Sequence, residues 1–336
     1  MYLRHTTGGR KTMLTGMERI KQLVKEQPDR KLQTLMHLVN ETTIKEIHRR
    51  QEKGKSPGVD EMTKTEYEEQ LDKNVSDLIA RMKTFSYRPQ PVKRVYIEKE
   101  GSDKLRPLGI PTYEDKLVQG VIAEILETIY EPKFHEFSYG FRPGRNCHQA
   151  VKHLRGKLMG KTNWVVDADI KGFFDNVDHD WMMKFLGHEI SDGNLLRYIK
   201  RFLKAGIMEE GSYAETETGV PQGGPCSPVM ANVYLHYVID KWFDVRVTRE
   251  SRGESTMVRY ADDAVFCFQY ESDARAFYTK LKERLAKFGL ELSEEKSQII
   301  KFGRYGGDGA GKFDFACQWR LENVYFRRSK NVGFWR

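Results

Sequence analysis

Hydrophobic positions along the chain follow two different periods, and the switches between them predict the order of helices and strands. Long segments carry apolar residues three and four positions apart, which is the spacing of one helix face. Shorter segments alternate apolar and polar residues or are apolar throughout, as strands are. The predicted helices cover residues 66–83, 115–130, 146–158, 179–189, 195–204, 227–245 and 272–288. The predicted strands cover residues 163–170, 256–260, 264–270 and 298–302, with a hairpin over 92–112 that turns at 100–103.

This order of elements predicts an α+β fold in which an antiparallel sheet packs on helices. Glycine and proline place loops at residues 54–60 and 218–224. No internal repeat or low-complexity segment interrupts the pattern. A chain of 336 residues with 39% hydrophobic composition can bury a large core, and its length favours two or three lobes.

The charge of the chain favours a polyanionic partner. Lysine and arginine number 56 against 48 acidic residues, a net charge of +8, and 12% of the residues are aromatic. Nucleic acid is the partner class that this combination favours. Residues 1–50 hold 11 basic and 5 acidic residues in a helical pattern. That segment is either a solvated helical face or an arm that lies along phosphates.

Cysteine spacing and hydropathy narrow the class of protein further. The cysteines at positions 147, 226, 267 and 317 form no C-x-x-C pair, so neither a zinc site nor a disulfide framework is indicated. No apolar run reaches the roughly 18 to 20 residues of a membrane span, and the N-terminus lacks a signal-peptide core. The expected protein is globular, cytoplasmic and without a membrane partner.

Two adjacent aspartates interrupt a segment that otherwise has the pattern of buried strands, VRYADDAVF at residues 258–266. If Asp262 and Asp263 lie at the tip of a hairpin, the flanking apolar residues can stay in the core. An ordinary Asp-containing turn would also explain them. However, such turns usually carry Asn-Gly or Asp-Gly, and no glycine is nearby. Two carboxylates this close repel each other unless a cation neutralises them.

A second acidic cluster occurs in WVVDADIKGFFDNVDHD. Asp169 ends an apolar strand, and Asp167 points to the same face on alternation. If that strand pairs beside the hairpin, three carboxylates converge and form the oxygen-rich site that Mg²⁺ prefers. Two such ions would activate a primer hydroxyl and stabilise a leaving pyrophosphate. The remaining aspartates of the cluster are expected to cap or begin the next helix, at positions 175, 178 and 180.

A series of motifs in order makes the pattern specific. These are RPLGIP, FSYGFRPGRNCHQA, DADIKGFFDNVDHD, GVPQGGPCSPVMAN, RYADD and GLELSEEKS. The series resembles the reverse transcriptases of bacterial group II introns over roughly residues 17–304. The resemblance implies the fingers and palm of a right-hand polymerase that copies RNA into DNA with two Mg²⁺ ions and deoxynucleoside triphosphates (dNTPs). It implies an RNA template, in this family intron RNA, and a DNA primer.

The resemblance also suggests roles for single residues. Asp169, Asp262 and Asp263 would be catalytic metal ligands, with Ile170 beside the metal and the nucleotide. Phe174 would pack against the sugar and exclude a 2′-hydroxyl, so that the product is DNA. The other expected dNTP contacts are Lys104, Arg106, Gln222 and Lys296.

For the template and primer, the expected contacts are Arg142, Arg145 and Gly223. Packing and helix capping explain the two arginines equally well. A Gly/Pro connector would explain Gly223, a core position would explain Phe174, and a solvated helix would explain Lys296.

The domain prediction follows the motifs. Residues 1–55 form a basic helical extension, 56–162 the fingers, and 163–304 the palm, with a fingers contribution in the middle. Residues 305–336 form an atypical tail in which FDF at 313–315 is kept but the following apolar-glycine residues are replaced. This replacement, Ala316, Cys317 and Gln318, places the primer grip in doubt. The helical thumb of the family is expected to be absent.

The sequence therefore supports two main functions. The first is an RNA-directed DNA polymerase, and the second is a non-catalytic, maturase-like RNA-binding relic of one. An RNA-synthesising polymerase is disfavoured by Phe174. The template RNA and a possible homodimer stay open.

Overall fold

The computed structural model describes residues 16–98, 105–302, 312–315 and 319–322. The helices are α1 (Gly16–Glu26), α2 (Glu41–Arg50), α3 (Lys64–Glu69), α4 (Leu71–Lys83), α5 (Tyr113–Tyr130), α6 (Cys147–Leu158), α7 (His179–Glu189), α8 (Gly193–Leu203), α9 (Ser227–Leu235), α10 (Thr248–Glu250) and α11 (Glu271–Lys287). The strands are β1 (Val92–Glu98), β2 (Leu105–Ile110), β3 (Trp164–Ala168), β4 (Ile207–Glu209), β5 (Ser212–Ala214), β6 (Ser255–Tyr260), β7 (Asp263–Phe268), β8 (Gln298–Lys301), β9 (Lys312–Phe315) and β10 (Trp319–Glu322).

The palm sheet has the strand order β6-β7-β3-β8, and every neighbouring pair in it is antiparallel. The central strands β7 and β3 are rich in β-branched and aromatic residues, which suit a pleated surface packed on both faces. In the register of β3 with β7, Asp167 pairs with Val265 and Ala168 with Ala264. The strand at 163–170 therefore lies beside the aspartate hairpin, which meets the condition that the sequence analysis set for the three carboxylates to converge.

The palm sheet is covered on both faces. On one face α11 packs against β3 and β7, within a core that also includes α7 and α9. On the other face Ala150, Leu154 and Leu158 of α6 pack against Val258 and Val265. Phe313 and Phe315 of β9 join the same cluster. The FDF segment is thus anchored in the core of the palm, and β9 pairs with β10 in an antiparallel hairpin.

A second sheet, the fingers sheet, has the order β2-β1-β4-β5. β1 and β2 are antiparallel, with Glu98 opposite Leu105, which confirms the predicted hairpin; its turn lies outside the described residues. β4 runs parallel to β1 and pairs antiparallel with β5. The sequence analysis predicted neither β4 nor β5. Both strands come from the middle of residues 163–304 and extend the sheet formed by β1 and β2.

The helix α5 lies at the centre of the molecule and is buried on nearly all sides. The amphipathic helices α1 and α2 pack against it with Ile20, Val24, Ile44 and Ile47 in the core. Asn40 starts α2 with a capping box, in which its side chain accepts the N–H of Thr43. In the described part of the N-terminal segment, the apolar stripe is therefore a packing surface; residues 1–15 lie outside that part.

The helix that begins at Ser227 continues through α10 to Glu250. Two π-helical turns, His236–Asp240 and Phe243–Val247, lie within this run. The predicted end at residue 245 was therefore too early. π-Helical turns are rare and occur mostly where a helix must re-aim particular side chains. The first of these turns carries Asp240, which reaches the aspartate hairpin.

Candidate active site

The tip of the β6–β7 hairpin holds the two adjacent aspartates. Tyr260 pairs with Asp263, so the connection consists of Ala261 and Asp262 alone. Ala261 has a φ of +57°, a left-handed conformation that is unusual for a residue with a Cβ. Asp262 lies in the turn, and Asp263 opens β7. A two-residue turn with positive φ at its first position fits the twist of paired strands, and glycine is usual there.

The hairpin tip is pressed against the segment around Gly140. A Cβ added to Gly140 would lie 2.1 Å from the backbone nitrogen of Ala261 and 2.7 Å from its Cα. The N–H of Tyr139 donates to the carbonyl of Arg259 at 2.9 Å, and the N–H of Arg259 donates to the carbonyl of Phe137. This segment therefore lies along the edge of β6 and fixes the position of the turn.

Asp169 follows β3 directly and lies across from the hairpin. Ala168 pairs with Ala264, so the next antiparallel position places Asp169 opposite Asp263. The backbone of Asp169 is held on its other side by the segment before β8. Its N–H donates to Ser297 Oγ at 3.0 Å, and its carbonyl accepts the N–H of Ser293 at 2.8 Å. Ile170 is buried and bridges to Leu292.

The charges around this edge interact. Burial raises the pKa of Asp262, and the negative charge of Asp169 raises it further, whereas Arg106 and Arg259 lower it. The carboxylates of Asp169 and Asp262 are therefore near enough to repel each other. The Lys296 ammonium lies 3.3 Å from Asp169 Oδ2. Thus Arg106 from the fingers sheet and Lys296 from the palm both reach the acidic edge.

The donor set of this edge fits a hard divalent cation. Carboxylate oxygens are the ligands that Mg²⁺ prefers, and a cation would relieve the repulsion that raises the pKa of Asp262. Across the described ranges, no three His, Cys, Asp or Glu side chains are already grouped as a metal site. Asp167 lies two residues earlier on β3, within 3.5 Å of the amide of Gln298.

A cavity of about 310 Å³ lies between the fingers sheet and the palm. Arg94 of β1 and Leu108 of β2 line it on one side. Phe174 and Gln222 line it on the other. The half-buried ring of Phe174 makes edge-to-face contact with Phe141, with centroids 6.4 Å apart. The structure therefore brings two sequence-predicted nucleotide contacts to one cavity.

Gly223 joins the two sides of this cavity. The carbonyl of Gln222 accepts the N–H of Gly109 at 2.6 Å. Gly223 has a φ of +113°, and a Cβ on it would lie 2.7 Å from the carbonyl oxygen of Gly109. Only a residue without a side chain allows this approach.

The expected template arginines make internal contacts. Arg142 is buried; it donates to both carboxylate oxygens of Glu131 and to the carbonyls of His135 and Ser138. Arg145 pairs with Glu136 at 2.9 Å. These contacts are the packing that sequence analysis kept as an alternative. Lys104 lies outside the described residues.

Of the three aspartates expected to cap or begin the helix after β3, two lie at the start of α7 and one lies in the wall of the cavity. Asp178 caps α7 by accepting the N–H of Trp181 at 2.8 Å, and Asp180 lies in the first turn of that helix. Asp175 lines the cavity.

Sequence analysis missed Arg259, whose fully buried guanidinium holds the hairpin tip. It donates to both oxygens of Asp240, at 2.8 and 2.6 Å. It also donates to Asn232 Oδ1, to Ser138 Oγ and to the carbonyl of Ala261, the last at 2.8 Å. One side chain thus connects the turn, the long helix and the edge segment.

A signal for Arg259 was present in the sequence. Arginine stands in an apolar strand segment, VRY, and a buried charge needs a paired and hydrogen-bonded partner. The sequence did not identify Asp240 as the partner of Arg259, because Asp240 lies in a helix of irregular pitch and a turn separates that helix from the strand of Arg259.

Comparison with known proteins decides the family. The model of the family described as reverse transcriptase (RNA-dependent DNA polymerase) matches residues 97–324. The chain belongs to the reverse transcriptase family. The match covers the palm sheet with its carboxylate edge and the fingers sheet apart from most of β1, and it confirms the family expected from the motifs.

Relatives of this reverse transcriptase include proteins encoded by group II introns. It is 36% identical over 268 residues to the group II intron-encoded protein LtrA of Lactococcus lactis subsp. cremoris, covering 75% of this chain and 44% of LtrA. It is 34% identical over 239 residues to protein YkfC of Escherichia coli, covering 62% of each chain. A match of 94 residues at 35% identity links it to nuclear intron maturase 1 of Arabidopsis thaliana, covering 28% and 13%. The chain spans less than half the length of LtrA.

Among solved structures, telomerase from Candida albicans, determined with a fragment of telomeric RNA, has a similar fold. The TM-score is 0.52 at 13% sequence identity, covering 75% of this chain and 48% of the telomerase chain. The fold is therefore α+β with mainly antiparallel sheets, of the right-hand polymerase type. None of the described helices is long and apolar enough to cross a bilayer.

Proposed function

We propose that this reverse transcriptase is an RNA-directed DNA polymerase of the group II intron type, which joins dNTPs to the 3′-hydroxyl of a primer. One observation carries the proposal. Asp169 directly follows β3, whose last residue, Ala168, pairs with Ala264. Continuing this register puts Asp169 across from Asp263, at the edge of the palm sheet that also carries Asp262. The family match supports the same reaction, and so does the cavity lined by Phe174, which follows Asp169 by five residues.

Within this proposal, Asp169, Asp262 and Asp263 hold Mg²⁺, with Ile170 beside it. The chemistry that two bound Mg²⁺ ions supply is activation of the primer hydroxyl and stabilisation of the leaving pyrophosphate. The chain's own contribution is to hold the carboxylates in place. Arg259 does so through the carbonyl of Ala261, and Ser297 does so through the N–H of Asp169.

The cavity between the sheets is proposed to receive the dNTP. Its volume of about 310 Å³ is at the lower end of ordinary ligand pockets. Phe174 presents a ring that would crowd a 2′-hydroxyl, and Gln222 would contact the sugar. Arg106, whose charge already reaches Asp262, would engage the triphosphate with its planar donors. Lys104 and Lys296 would add charge at the phosphates.

The proposed partners are an RNA template and a DNA primer. The relationship to intron-encoded proteins makes intron RNA the proposed template. Arg142, Arg145 and Gly223 remain predicted template and primer contacts, although the observed contacts of the two arginines are internal.

The test is primer extension on an RNA template with Mg²⁺ and dNTPs. We expect the unmodified protein to add deoxynucleotides, and Asp262→Asn and Asp263→Asn to lose the activity while they still bind the RNA–DNA duplex. The matched control is Glu291→Gln, which removes an exposed carboxylate from the segment that bridges to Ile170. The proposal fails if the unmodified protein adds nothing, or if either aspartate variant is as active as the control.

A second candidate is a non-catalytic, maturase-like RNA-binding protein. The matched segment shared with an intron maturase favours it. It predicts that the unmodified protein binds RNA with a strong salt dependence but extends no primer. Duplex binding that is insensitive to salt would exclude this candidate.

A further inference from the structure

Four basic residues form a surface on α8 and on the segment that precedes β1. We call it the α8 basic surface: Arg88, Arg197, Lys200 and Arg201. Three of these side chains are exposed, and Arg201 is half-buried. Arg197 and Lys200 are three residues apart, so they lie on one face of α8. The helix itself contains no acidic residue between Gly193 and Leu203.

The arginines of this surface converge on a single residue, Phe85. Arg201 Nη1 donates to the carbonyls of Phe85 and Tyr87, at 3.2 and 2.8 Å. Arg88 Nη1 donates to the carbonyl of Phe85 at 3.1 Å. The guanidinium of Arg197 lies 4.5 Å from the centre of the Phe85 ring. Phe85 itself has a φ of +58°, so three like charges surround a turn in a rarely populated conformation.

These charges are not balanced by neighbouring carboxylates. Among the residues that the structure describes, none of the four takes part in an ion pair. Burial raises the pKa of Tyr198, while Arg201, Arg88 and Arg197 all lower it, so their charges act together at that point.

Helix α11 shows the opposite arrangement. Three of its five cations pair with acids: Arg275 with Glu271, Lys280 with Glu250 and Lys282 with Glu294, each at 2.6 to 2.7 Å.

The α8 basic surface lies away from the carboxylate edge. Arg88 precedes Val92, the first residue of β1, whereas Arg106, whose charge reaches Asp262, pairs with Ile97 near the other end. At about 3.3 Å per residue the strand separates the two ends by roughly 17 Å. Phosphates held at this surface would therefore be separate from the triphosphate that Arg106 is proposed to engage, although Val92 and Arg94, at the same end of β1 as Arg88, line the cavity.

We propose that the α8 basic surface binds the phosphate backbone of RNA outside the catalytic site and anchors the template there. Guanidinium groups present planar, paired donors that match phosphate oxygens. A polyanion relieves the repulsion between clustered cations and releases its own counterions, which favours binding. The choice of RNA as the polyanion rests on the proposed function.

The test compares two triple variants that each lower the net charge from +8 to +5, since three cations are removed. The α8 variant is Arg88→Gln, Arg197→Gln and Lys200→Gln. The control, on α11, is Arg275→Gln, Lys280→Gln and Lys282→Gln. Arg201 is kept because it holds two backbone carbonyls. Binding of a fluorescent single-stranded RNA oligomer is measured over a salt series without dNTPs, after thermal unfolding has shown that both variants fold.

The α8 variant is expected to bind about tenfold or more weakly at low salt, and the slope of log affinity against log salt is expected to fall by about 2, near 0.7 per lost phosphate contact. The α11 control should match the unmodified protein. Equal losses in both variants, or no loss in the α8 variant, would overturn the proposal. The proposal would also be overturned if polyglutamate displaced the labelled RNA from this surface as readily as unlabelled RNA does, because that result indicates an acidic protein partner.

A primer-extension assay separates this inference from the proposed function. At saturating template the α8 variant should incorporate dNTPs at the rate of the unmodified protein, because its substitutions lie far from the carboxylate edge. If the unmodified protein incorporates nothing, the polymerase proposal fails while the binding measurement still decides the role of this surface.

Discussion

At the scale of single residues, the hairpin tip is held by a charged side chain that is fully buried. Arg259 and Asp240 are both fully buried. The Arg259 guanidinium also donates to Asn232 Oδ1, to Ser138 Oγ and to the carbonyl of Ala261. Burying an ion pair carries a large desolvation cost, so such a pair is weak evidence for stability. Its observed geometry favours a positioning role: the guanidinium fixes the carbonyl of Ala261, one residue before Asp262.

Substitutions at Arg259 can distinguish its contribution to the stability of the protein from its contribution to the position of the hairpin turn. Arg259→Met leaves Asp240 buried without its partner, and we expect the free energy of unfolding to fall by about 3–5 kcal/mol. Adding Asp240→Leu removes the unpaired buried carboxylate and should recover most of the lost free energy of unfolding. Urea unfolding measures both variants.

Primer extension by the double variant provides the second readout. Its activity should stay low, because Ala261 still lacks its hydrogen-bond donor. If the double variant regains both stability and full activity, Arg259 has no positioning role.

At the scale of elements, α5 is tied to the segment before β1 by a buried carboxylate. Asp115 lies in the first turn of α5 and accepts hydrogen bonds from the Tyr87 hydroxyl and from the N–H of Gln90, the latter at 3.0 Å. Burial raises the pKa of Asp115 to about 6, although these hydrogen bonds lower it. The folded protein therefore favours the protonated carboxyl more than the unfolded chain does.

This link predicts a pH dependence of stability. The contribution of Asp115 is fully present below its ordinary pKa of 3.8 and is lost as the pH rises through about 6. Between pH 4 and pH 7, the unmodified protein should lose up to about 3 kcal/mol relative to Asp115→Asn, at about 1.4 kcal/mol per pKa unit. Urea unfolding of both proteins across this range measures the difference.

Asp192 supplies a control of opposite sign. Burial raises the pKa of Asp192, but hydrogen bonds from four backbone N–H groups bring it below its ordinary value. Its contribution to stability is present above pH 3.8 and is lost as the pH falls further, so Asp192→Asn should show the reverse trend. A difference between the unmodified protein and Asp115→Asn that stays constant from pH 4 to pH 7 would contradict the assignment.

At the scale of the whole molecule, the backbones of the fingers sheet and the palm approach each other closely at Gly109. The N–H of Gly109 donates to the carbonyl of Gln222, and Gly223 lies against the carbonyl of Gly109. The cavity that contains Phe174 lies between the two parts, so its shape depends on this joint.

A pair of glycine substitutions tests the joint. Gly223→Ala introduces a Cβ 2.7 Å from a carbonyl oxygen, whereas Gly211→Ala meets nothing within 4 Å. Both positions have positive φ, +113° and +82°, so both variants carry backbone strain of about 1–2 kcal/mol. Only Gly223→Ala should also raise the KM for dNTPs, by about tenfold to a hundredfold, because it displaces the fingers sheet from the cavity. Steady-state primer extension measures the KM for dNTPs. Equal KM values in the two variants would show that the contact between the added Cβ and the carbonyl oxygen of Gly109 does not affect dNTP binding.

The sequence by itself determined most of the elements and the position of the acidic turn. Helical periods gave α7 at residues 179–189 without error, and strand alternation placed Asp262 and Asp263 at a hairpin, because these signals depend on neighbours a few residues apart. The ordered motifs also gave the family. Only the tertiary structure decided that β3 pairs with β7, that β4 joins β1, and that Arg259 reaches Asp240 and Gly140 contacts Ala261. Such contacts join residues that are far apart in the chain. Local sequence patterns are compatible with many strand pairings and ion pairs, and one set is selected only when the core packs and every buried charge must have a partner.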